Sequence, residues 1–215
     1  MITNSANSPM PRHYEVDWLR VLAMGLLILY HIALCFQPWA SLIAFPQNGT
    51  FLEIIWPPMA MLNVWRIPLL FLISGMGVSF AMDNRDWKEL LKDRFIRIVV
   101  PFIFGSYILG WLLSLLMPII GWHASYTLHF GHLWFLVNIF CYLLWLIGII
   151  IYLKNSPDNP FSVFLANLMQ KPFGLFLFTI PLILEAWLVN PKYYSMYVDT
   201  VHGWLLGLIC FFLGR

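Results

Sequence analysis

The sequence predicts an all-α protein that forms a polytopic bundle of transmembrane helices. Of its 215 residues, 61% are hydrophobic and only 10% are charged, and the mean hydropathy is +0.78. A soluble domain has about a quarter of its residues charged, so this composition excludes one. The 11 tryptophans, 18 phenylalanines and 9 tyrosines are typical of helix ends that lie at a membrane interface. The lipid bilayer is therefore the expected environment of the chain.

The lengths of the apolar runs predict about six helices, because a hydrocarbon core of ~30 Å needs about 20 apolar residues per helix. The predicted spans are residues 18–37, 59–82, 98–120, 131–153 and 173–189, with a sixth that begins near residue 201. We expect residues 1–16 to be an N-terminal tail and residues 17–215 to be one transmembrane domain. The last run is short, so we expect the chain to be truncated inside the sixth helix.

The basic residues between the spans predict the orientation of the chain. Segments 38–58 and 121–130 contain no Lys or Arg, whereas 83–97 contains five and 154–172 contains two. Cytoplasmic loops carry the excess of Lys and Arg, so we expect a cytoplasmic N-terminus and alternating sides thereafter. The net charge of only +2 argues against nucleic acid as a partner. The three cysteines lie inside apolar runs without metal-ligand spacing, so no metal is expected.

The first predicted helix, in the run EVDWLRVLAMGLLILYHIALCF (15–36), places an arginine and a histidine among apolar residues. Arg20 and His31 are eleven residues apart, so they lie within about 20° of each other around the helix, with a rise of ~16 Å. A charge at a helix centre costs ~2.5–3.5 kcal/mol on the insertion scale, and such groups face a bundle interior or a water-filled path. We therefore expect both side chains to face one cleft. The alternatives are that Arg20 extends to the cytoplasmic interface or pairs with Asp17, and that His31 is a hydrogen-bonded core histidine.

The second predicted helix carries Arg66 near its outer end, in the motif NVWRIPLLFLISG. An arginine at this position either faces the bundle or, beside Trp65, lies at the membrane interface. Pro68 follows two residues later and is expected in the first turn of a helix, where its missing N–H is harmless. Arg66 is a candidate substrate-binding residue.

The third predicted helix is preceded by the basic segment WKELLKDRFIRIVVP. Arg94 and Arg97 are i,i+3 neighbours, which predicts that they share one helix face at the cytoplasmic edge. The planar fork of donors on arginine suits phosphate oxygens, so the two residues are a candidate phosphate site. The alternative is that they only set the orientation of the helix.

The fourth and fifth predicted helices add three further polar or aromatic candidates. His132 and Trp134, in GHLWFLVN, lie near the outer side and either bind an acceptor or are ordinary interfacial residues. Glu185, in PLILEAWLV, is a lone acid in the fifth span. It is protonated, paired with an inward-facing arginine such as Arg66, or close to the outer surface, and the sequence leaves these three states open.

Four of these motifs resemble, in the same order, those of the membrane acyltransferase 3 family. They are the Arg-x10-His spacing in DWLRVLAMGLLILYH, then WRIPLLFLISG, RFIRIVVP and HLWFL. The residues of these motifs are most similar to those of the branch named for the glucan biosynthesis protein C, whose members are linked to succinylation of periplasmic glucans. The resemblance runs from about residue 13 to the end. It implies a fold of about ten transmembrane helices, of which this chain is the N-terminal part.

The resemblance also implies an activity for the predicted site. The family takes an acyl group, here acetyl or succinyl, from cytoplasmic acyl-CoA to a hydroxyl of an extracytoplasmic glycan or other envelope acceptor, in the inner membrane. His31 and Arg20 are then the catalytic residues, with neutral His31 as general base. The expected roles of the other residues divide by side: Arg20, Arg94 and Arg97 bind the coenzyme A phosphates, whereas Arg66, His132 and Trp134 bind the acyl group or the acceptor.

Three other functions remain open on the sequence alone. A transporter or permease would use the same inward charges, although Pro57, Pro58 and Pro118 lie near span ends rather than at the helix breaks such proteins use. An electron carrier with haem or quinone would use His31 and His132, but no second histidine pair accompanies them. An inactive truncated fragment of the acyltransferase is the third alternative.

Overall fold

The structure is a computed structural model that describes residues 14–40, 45, 47–116, 119, 133–156, 158–192 and 196–215. Within these residues the regular elements are all helices and none is a strand. Four of the helices are long and apolar enough to cross a membrane. The predicted all-α membrane bundle is therefore confirmed.

Seven helices are numbered in chain order. The four long ones are α1 (Tyr14–Leu34), α2 (Trp56–Asn84), α3 (Trp87–Leu116) and α4 (Trp134–Asn155), and the three short ones are α5 (Pro160–Met169), α6 (Thr179–Val189) and α7 (Val201–Leu213). Two stretches of α3, Phe95–Val99 and Phe104–Leu109, have the wider π-helical turn. Short 3-10 turns precede α2 and α6, at Glu53–Ile55 and Gly174–Phe178.

Three long helices begin earlier than predicted, because hydropathy detects the apolar run and not the helix start; for α2 the difference is three residues, with a start at Trp56. Helix α1 begins at Tyr14 and takes in the end of the predicted tail, with Glu15 and Asp17 in a first turn whose dipole favours acids. Helix α3 begins at Trp87 rather than near residue 98. Its first eight residues, WKELLKDR, are charged but consist mainly of good helix formers.

The segment between α4 and α7 differs most from the prediction. Residues 154–172 were expected to be a loop, yet α5 forms there because the Asn159 side chain accepts a hydrogen bond from the Ser162 N–H at 2.8 Å. The fifth predicted span is shorter than expected, because α6 begins only at Thr179. Pro181 lies in its first turn, where a missing N–H is tolerated.

Pro68 lies inside α2 rather than in a first turn, which corrects the sequence prediction. The prolines in the first turn of α2 are Pro57 and Pro58. A proline inside a helix removes the donor for the carbonyl four residues earlier, here that of Val64. The Tyr197 hydroxyl donates to this carbonyl at 3.2 Å. The connection between α6 and α7 is therefore tied to α2 at the position where the proline breaks the hydrogen-bond ladder.

Helix α2 is the centre of the bundle and packs against α1, α3, α4 and α7. Its contact with α7 is a backbone contact: a Cβ at Gly75 would lie 2.0 Å from the Phe211 carbonyl oxygen, and one at Gly214 would lie 2.0 Å from that of Leu72. Small residues permit such close helix packing in membranes. Aromatic side chains fill the space beside this contact, where Phe71 lies against Tyr142 at 5.5 Å between ring centroids.

The close approach predicts opposite effects for two glycine-to-alanine changes. Gly75→Ala is expected to destabilise the protein by about 1–3 kcal/mol, because the new methyl overlaps a backbone oxygen that cannot move alone. Gly148→Ala in α4, where a Cβ meets nothing within 4 Å, is the matched control and is expected to be neutral or stabilising by up to about 1 kcal/mol. Thermal unfolding in detergent measures both. Equal midpoints for the two variants would contradict the backbone contact.

Candidate functional site

The charged candidates lie at two levels of the α1–α2 pair. On α2 the levels are Gly77 and Arg66, which are eleven residues and therefore ~16 Å apart. On α1, which runs antiparallel, Arg20 lies against Gly77 and Tyr30 lies over Arg66. The eleven-residue spacing of Arg20 and His31 on α1 is thus matched by the eleven-residue spacing of Gly77 and Arg66 on α2.

At the Gly77 level two guanidinium groups converge on one glycine. Arg94 Nη2 donates to the Gly77 carbonyl oxygen at 3.0 Å. A Cβ at Gly77 would lie 2.6 Å from Arg20 Nη2 and 3.8 Å from Arg94 Nη2. The missing side chain therefore makes room for both cations, and we call Arg20 and Arg94 the basic cluster. Sequence analysis predicted both residues for one site, and the structure brings them together.

Positive charge exceeds negative charge around the basic cluster. Arg20 Nη1 contacts Asp17 at 3.2 Å, which is the local pairing that sequence analysis left open. Asp93 contacts Arg97 Nε at 2.9 Å and Arg85 at 3.6 Å. Arg94 Nε is buried without a hydrogen-bond partner. In the ion pairs of the described residues, Asp17 and Asp93 contact Arg20, Arg85 and Arg97, whereas Arg94 forms none, and this unpaired cation suits an anionic ligand.

Arg94 and Arg97 do not share a face, contrary to the prediction. Arg94 turns inward to Gly77, whereas the side chain of Arg97 is 66% exposed and is held by Asp93 one turn earlier. The physical reason is the π-helical stretch that begins at Phe95, because its wider turn moves residue 97 away from the α-helical i,i+3 position.

A cleft of about 400 Å³ opens at the same end of the bundle. Its lining carries both signs of charge, with Arg85 and Lys154 beside Asp83 and Asp86. The Lys154 ammonium also donates to the Met82 carbonyl oxygen in the last turn of α2, where a cation is favoured. The excess of positive charge therefore lies at Gly77 and not in this cleft.

At the second level Arg66 is buried to 2% exposure. Its Nη2 donates to Asn63 Oδ1 at 2.6 Å, and its guanidinium carbon lies 4.3 Å from the centroid of the Tyr30 ring. Nε and Nη1 are buried without a hydrogen-bond partner. Tyr30 and Tyr197 are the two phenols that interact electrostatically with this guanidinium.

Glu185 pairs with His202 and not with Arg66, which corrects one of the states left open by the sequence. His202 Nδ1 lies 2.9 Å from Glu185 Oε1 and 3.1 Å from Oε2, and both side chains are 3% exposed. The His202 ring stacks on Tyr197 at 5.4 Å. Burial raises the pKa of the Tyr197 phenol, which keeps it a neutral donor to Val64. We call Asn63, Tyr30, Arg66, Tyr197, Glu185 and His202 the buried polar cluster.

Sequence reasoning missed His202, although a signal for it exists. Helix α6 ends at Asn190, which has the left-handed φ of 46°, and the Thr200 side chain caps α7 by accepting from the Gly203 N–H at 3.0 Å. Two antiparallel helices joined by a short connection bring residues near their adjoining ends together. A lone acid shortly before such a connection and a histidine just after it are therefore natural partners.

His31 is half-buried, and its environment selects one tautomer. Nδ1 lies 2.7 Å from the Leu27 carbonyl oxygen. A carbonyl only accepts, so Nδ1 carries the proton and, in the neutral ring, Nε2 carries the lone pair. The ring contacts Phe45 at 5.5 Å and Tyr30 at 6.0 Å between centroids. Through Tyr30 it adjoins the buried polar cluster.

Trp134, one of the two outer candidates of the fourth helix, does not join this cluster as a polar group. Trp134 is 8% exposed, and its ring packs on Phe71 at 6.1 Å and on Phe135 at 6.2 Å. It is a core residue, because α4 turns that face toward the aromatic centre of the bundle. His132 lies outside the described residues.

The α1–α2 seam between the two levels is filled by side chains. Ala23 is fully buried and Ile73 is 3% exposed, and they form one hydrophobic cluster with Val16. Leu69 and Leu70 pack against it. The cleft that the sequence predicted between Arg20 and His31 is thus closed along this seam.

Comparison with known proteins identifies one family. The family model described as an acyltransferase domain matches residues 13–214, nearly the whole chain. No curated protein and no solved structure matches the sequence.

The Glu185–His202 pair predicts a measurable coupling. His202→Leu is expected to destabilise the protein by about 3–5 kcal/mol, because it leaves a buried acid without its partner. The double variant Glu185→Leu/His202→Leu is expected to recover most of this loss, since an apolar pair of similar volume removes both polar groups. Thermal unfolding in detergent gives the comparison. A double variant no more stable than the single one would show that the two residues are not coupled.

Proposed function

Because the chain belongs to the acyltransferase domain family, we propose that this membrane acyltransferase moves an acetyl or succinyl group from cytoplasmic acyl-CoA to a hydroxyl of an extracytoplasmic glycan. The basic residues of 83–97 assign the Gly77 end to the cytoplasm, and the Arg66 end then faces outward. In a bacterial cell this corresponds to the inner membrane.

The observation that carries the proposal is the convergence of Arg20 and Arg94 on Gly77. Two adjacent guanidinium groups repel each other unless an anion lies between them. Coenzyme A supplies such an anion, because its phosphates match the planar donor fork of arginine. Arg97, which is more exposed and bound to Asp93, lies at the rim of this site and meets the phosphates from the solvent side.

The distance between the two levels suits the shape of the donor. The thioester of acyl-CoA lies at the end of a long, thin pantetheine arm, and the ~16 Å between the levels is of the order of its length. Helix α1 packs mainly on α2, and only 11% of its apolar window is buried. The arm enters along α1 and displaces the packing at Ala23 and Ile73, which leads the thioester to His31.

The chemistry at His31 follows from its tautomer. Nε2 removes the proton of the acceptor hydroxyl as the oxygen attacks the thioester carbonyl carbon. The tetrahedral intermediate then breaks its C–S bond, and the coenzyme A thiolate leaves and takes the proton from Nε2–H. The Leu27 carbonyl holds Nδ1–H throughout and stabilises the imidazolium that forms between the two steps.

The outer residues bind the acceptor and the acyl group. Arg66 contacts the Tyr30 ring, which contacts His31, and is assigned to the acyl group or the acceptor. His132, which precedes α4 in the sequence, is assigned to the acceptor. Trp134 supports the site through its packing on Phe71 instead of by stacking on a sugar.

Removal of the base tests the chemical step. His31→Ala is expected to lower kcat by about 10²–10⁴-fold, the usual contribution of a general base, with expression unchanged. Leu29→Ala, an exposed neighbour on the same helix, is the matched control. Acyl transfer from radiolabelled acyl-CoA in membrane vesicles is the measurement. A variant that retains wild-type kcat would remove His31 from the chemistry.

Removal of the basic cluster tests donor binding. Arg94→Ala and Arg20→Ala are each expected to raise KM for acyl-CoA by about 10–100-fold, because a charge-assisted hydrogen bond contributes about 1.5–3 kcal/mol. KM for the acceptor should change much less. Lys88→Ala removes one positive charge from the same helix, beside Trp87 and away from Gly77, and serves as the control. Equal changes in both KM values would undo the assignment.

A further inference from the structure

We propose that Arg66 is the binding site for a carboxylate carried by one of the two substrates, either the acyl group or the acceptor glycan. This inference rests on the proposed function for the identity of the substrates. It assigns them a chemical class, because it requires one of them to be an acid.

The Arg66 guanidinium is buried with most of its hydrogen-bond donors unused. Arg66 is 2% exposed, and the hydrogen bond to Asn63 satisfies only one of its five N–H bonds. The three N–H bonds of Nε and Nη1 have no partner. An unsatisfied buried donor costs about 1–3 kcal/mol, and more when the group is charged. An arginine in this state can donate several hydrogen bonds to an acceptor on a ligand.

The neighbouring aromatic ring does not supply the missing hydrogen-bond acceptor. Tyr30 lies over the guanidinium at 4.3 Å and stabilises its charge as a cation–π partner. A ring face, however, is only a weak acceptor for N–H groups, and Nε and Nη1 lack an oxygen or nitrogen partner. The contact therefore compensates part of the charge and leaves these donors for a ligand.

The positive charge of Arg66 is not balanced by a carboxylate among the described residues. Glu185, the acid of the buried polar cluster, presents both oxygens to His202 and neither of them to Arg66. No carboxylate among the described residues forms an ion pair with Arg66. The Arg66 guanidinium thus carries a positive charge that no ion pair among the described residues compensates. A carboxylate cancels it with a single negative charge, whereas a phosphate dianion would leave a buried negative charge in its place.

The test uses binding, so that it does not depend on turnover. The full chain in detergent is heated with succinamate, whose single carboxylate stands for that of an acidic acyl group, or with glucuronate, which stands for an acidic sugar. Succinamide and glucose are the neutral counterparts at equal ionic strength. At about ten times Kd, one of the two acids is expected to raise the unfolding midpoint by about 3–5 °C, and its neutral counterpart is not. The acid that acts identifies which substrate carries the carboxylate.

Three variants make the result specific to Arg66. Arg66→Gln should lose the shift, and Arg66→Lys, which keeps the charge but not the planar fork, should raise Kd at least about tenfold. Arg85→Gln, an exposed arginine beside Asp93, should keep the wild-type shift.

The proposed site is contradicted if neither acid raises the unfolding midpoint of the wild type. It is also contradicted if either Arg66 variant binds the acid as tightly as the wild type does. Failure of the proposed function has a different signature, since a wild type that binds the acid but transfers no acyl group from any acyl-CoA contradicts only the reaction.

Discussion

The backbone contact between α2 and α7 is the constraint on which the rest of the bundle depends. Gly75 and Gly214 let the two helices approach until backbone atoms touch, which no other residue type permits at those positions. This contact holds the C-terminal end of α7 against the middle of α2, and the Tyr197 hydroxyl, which donates to the Val64 carbonyl, ties the chain before α7 to the same helix. Because α2 also packs on α1, the same helix holds the residues of both levels in one framework. The buried polar cluster is therefore a consequence of helix packing and not of a local motif.

The break in α2 at Pro68 is part of the same framework. In a membrane an orphaned carbonyl has no water to accept from, so some side chain must donate to it. Tyr197 does so at Val64, and its ring also stacks on His202. One tyrosine thus satisfies the proline break and positions the histidine that pairs with Glu185. The irregular backbone of α2 is stabilised by the groups that build the site.

The helices that the sequence predicted well are those whose own residues determine them. Apolar length was sufficient for α1, α2 and α4, whereas the eleven-residue spacing of Arg20 and His31 predicted a shared cleft that the packing of Ala23 and Ile73 closes. Features that depend on a second element were not visible: the inward turn of Arg94 follows from a π-helical stretch, the burial of Trp134 from the packing of α4 on Phe71, and the Glu185–His202 pair from the α6–α7 turn. Hydrophobic periodicity shows which face of a single helix is apolar. It gives no information about where the neighbouring helices lie.

The two levels differ in exposure, and this difference limits what each can contribute. The side chain of Arg20 is 46% exposed, so water screens its interaction with an anion and a ligand there exchanges readily. Arg66 is 2% exposed, so any group placed against it must satisfy donors that water cannot reach. A site of this kind discriminates strongly, because an analogue that lacks the matching acceptor leaves buried polar groups unpaired. Under the proposed function, the exposed level would recruit the donor and the buried level would select between substrates. The residues that join the two levels on α1 and α2 would then set the distance that a substrate must span.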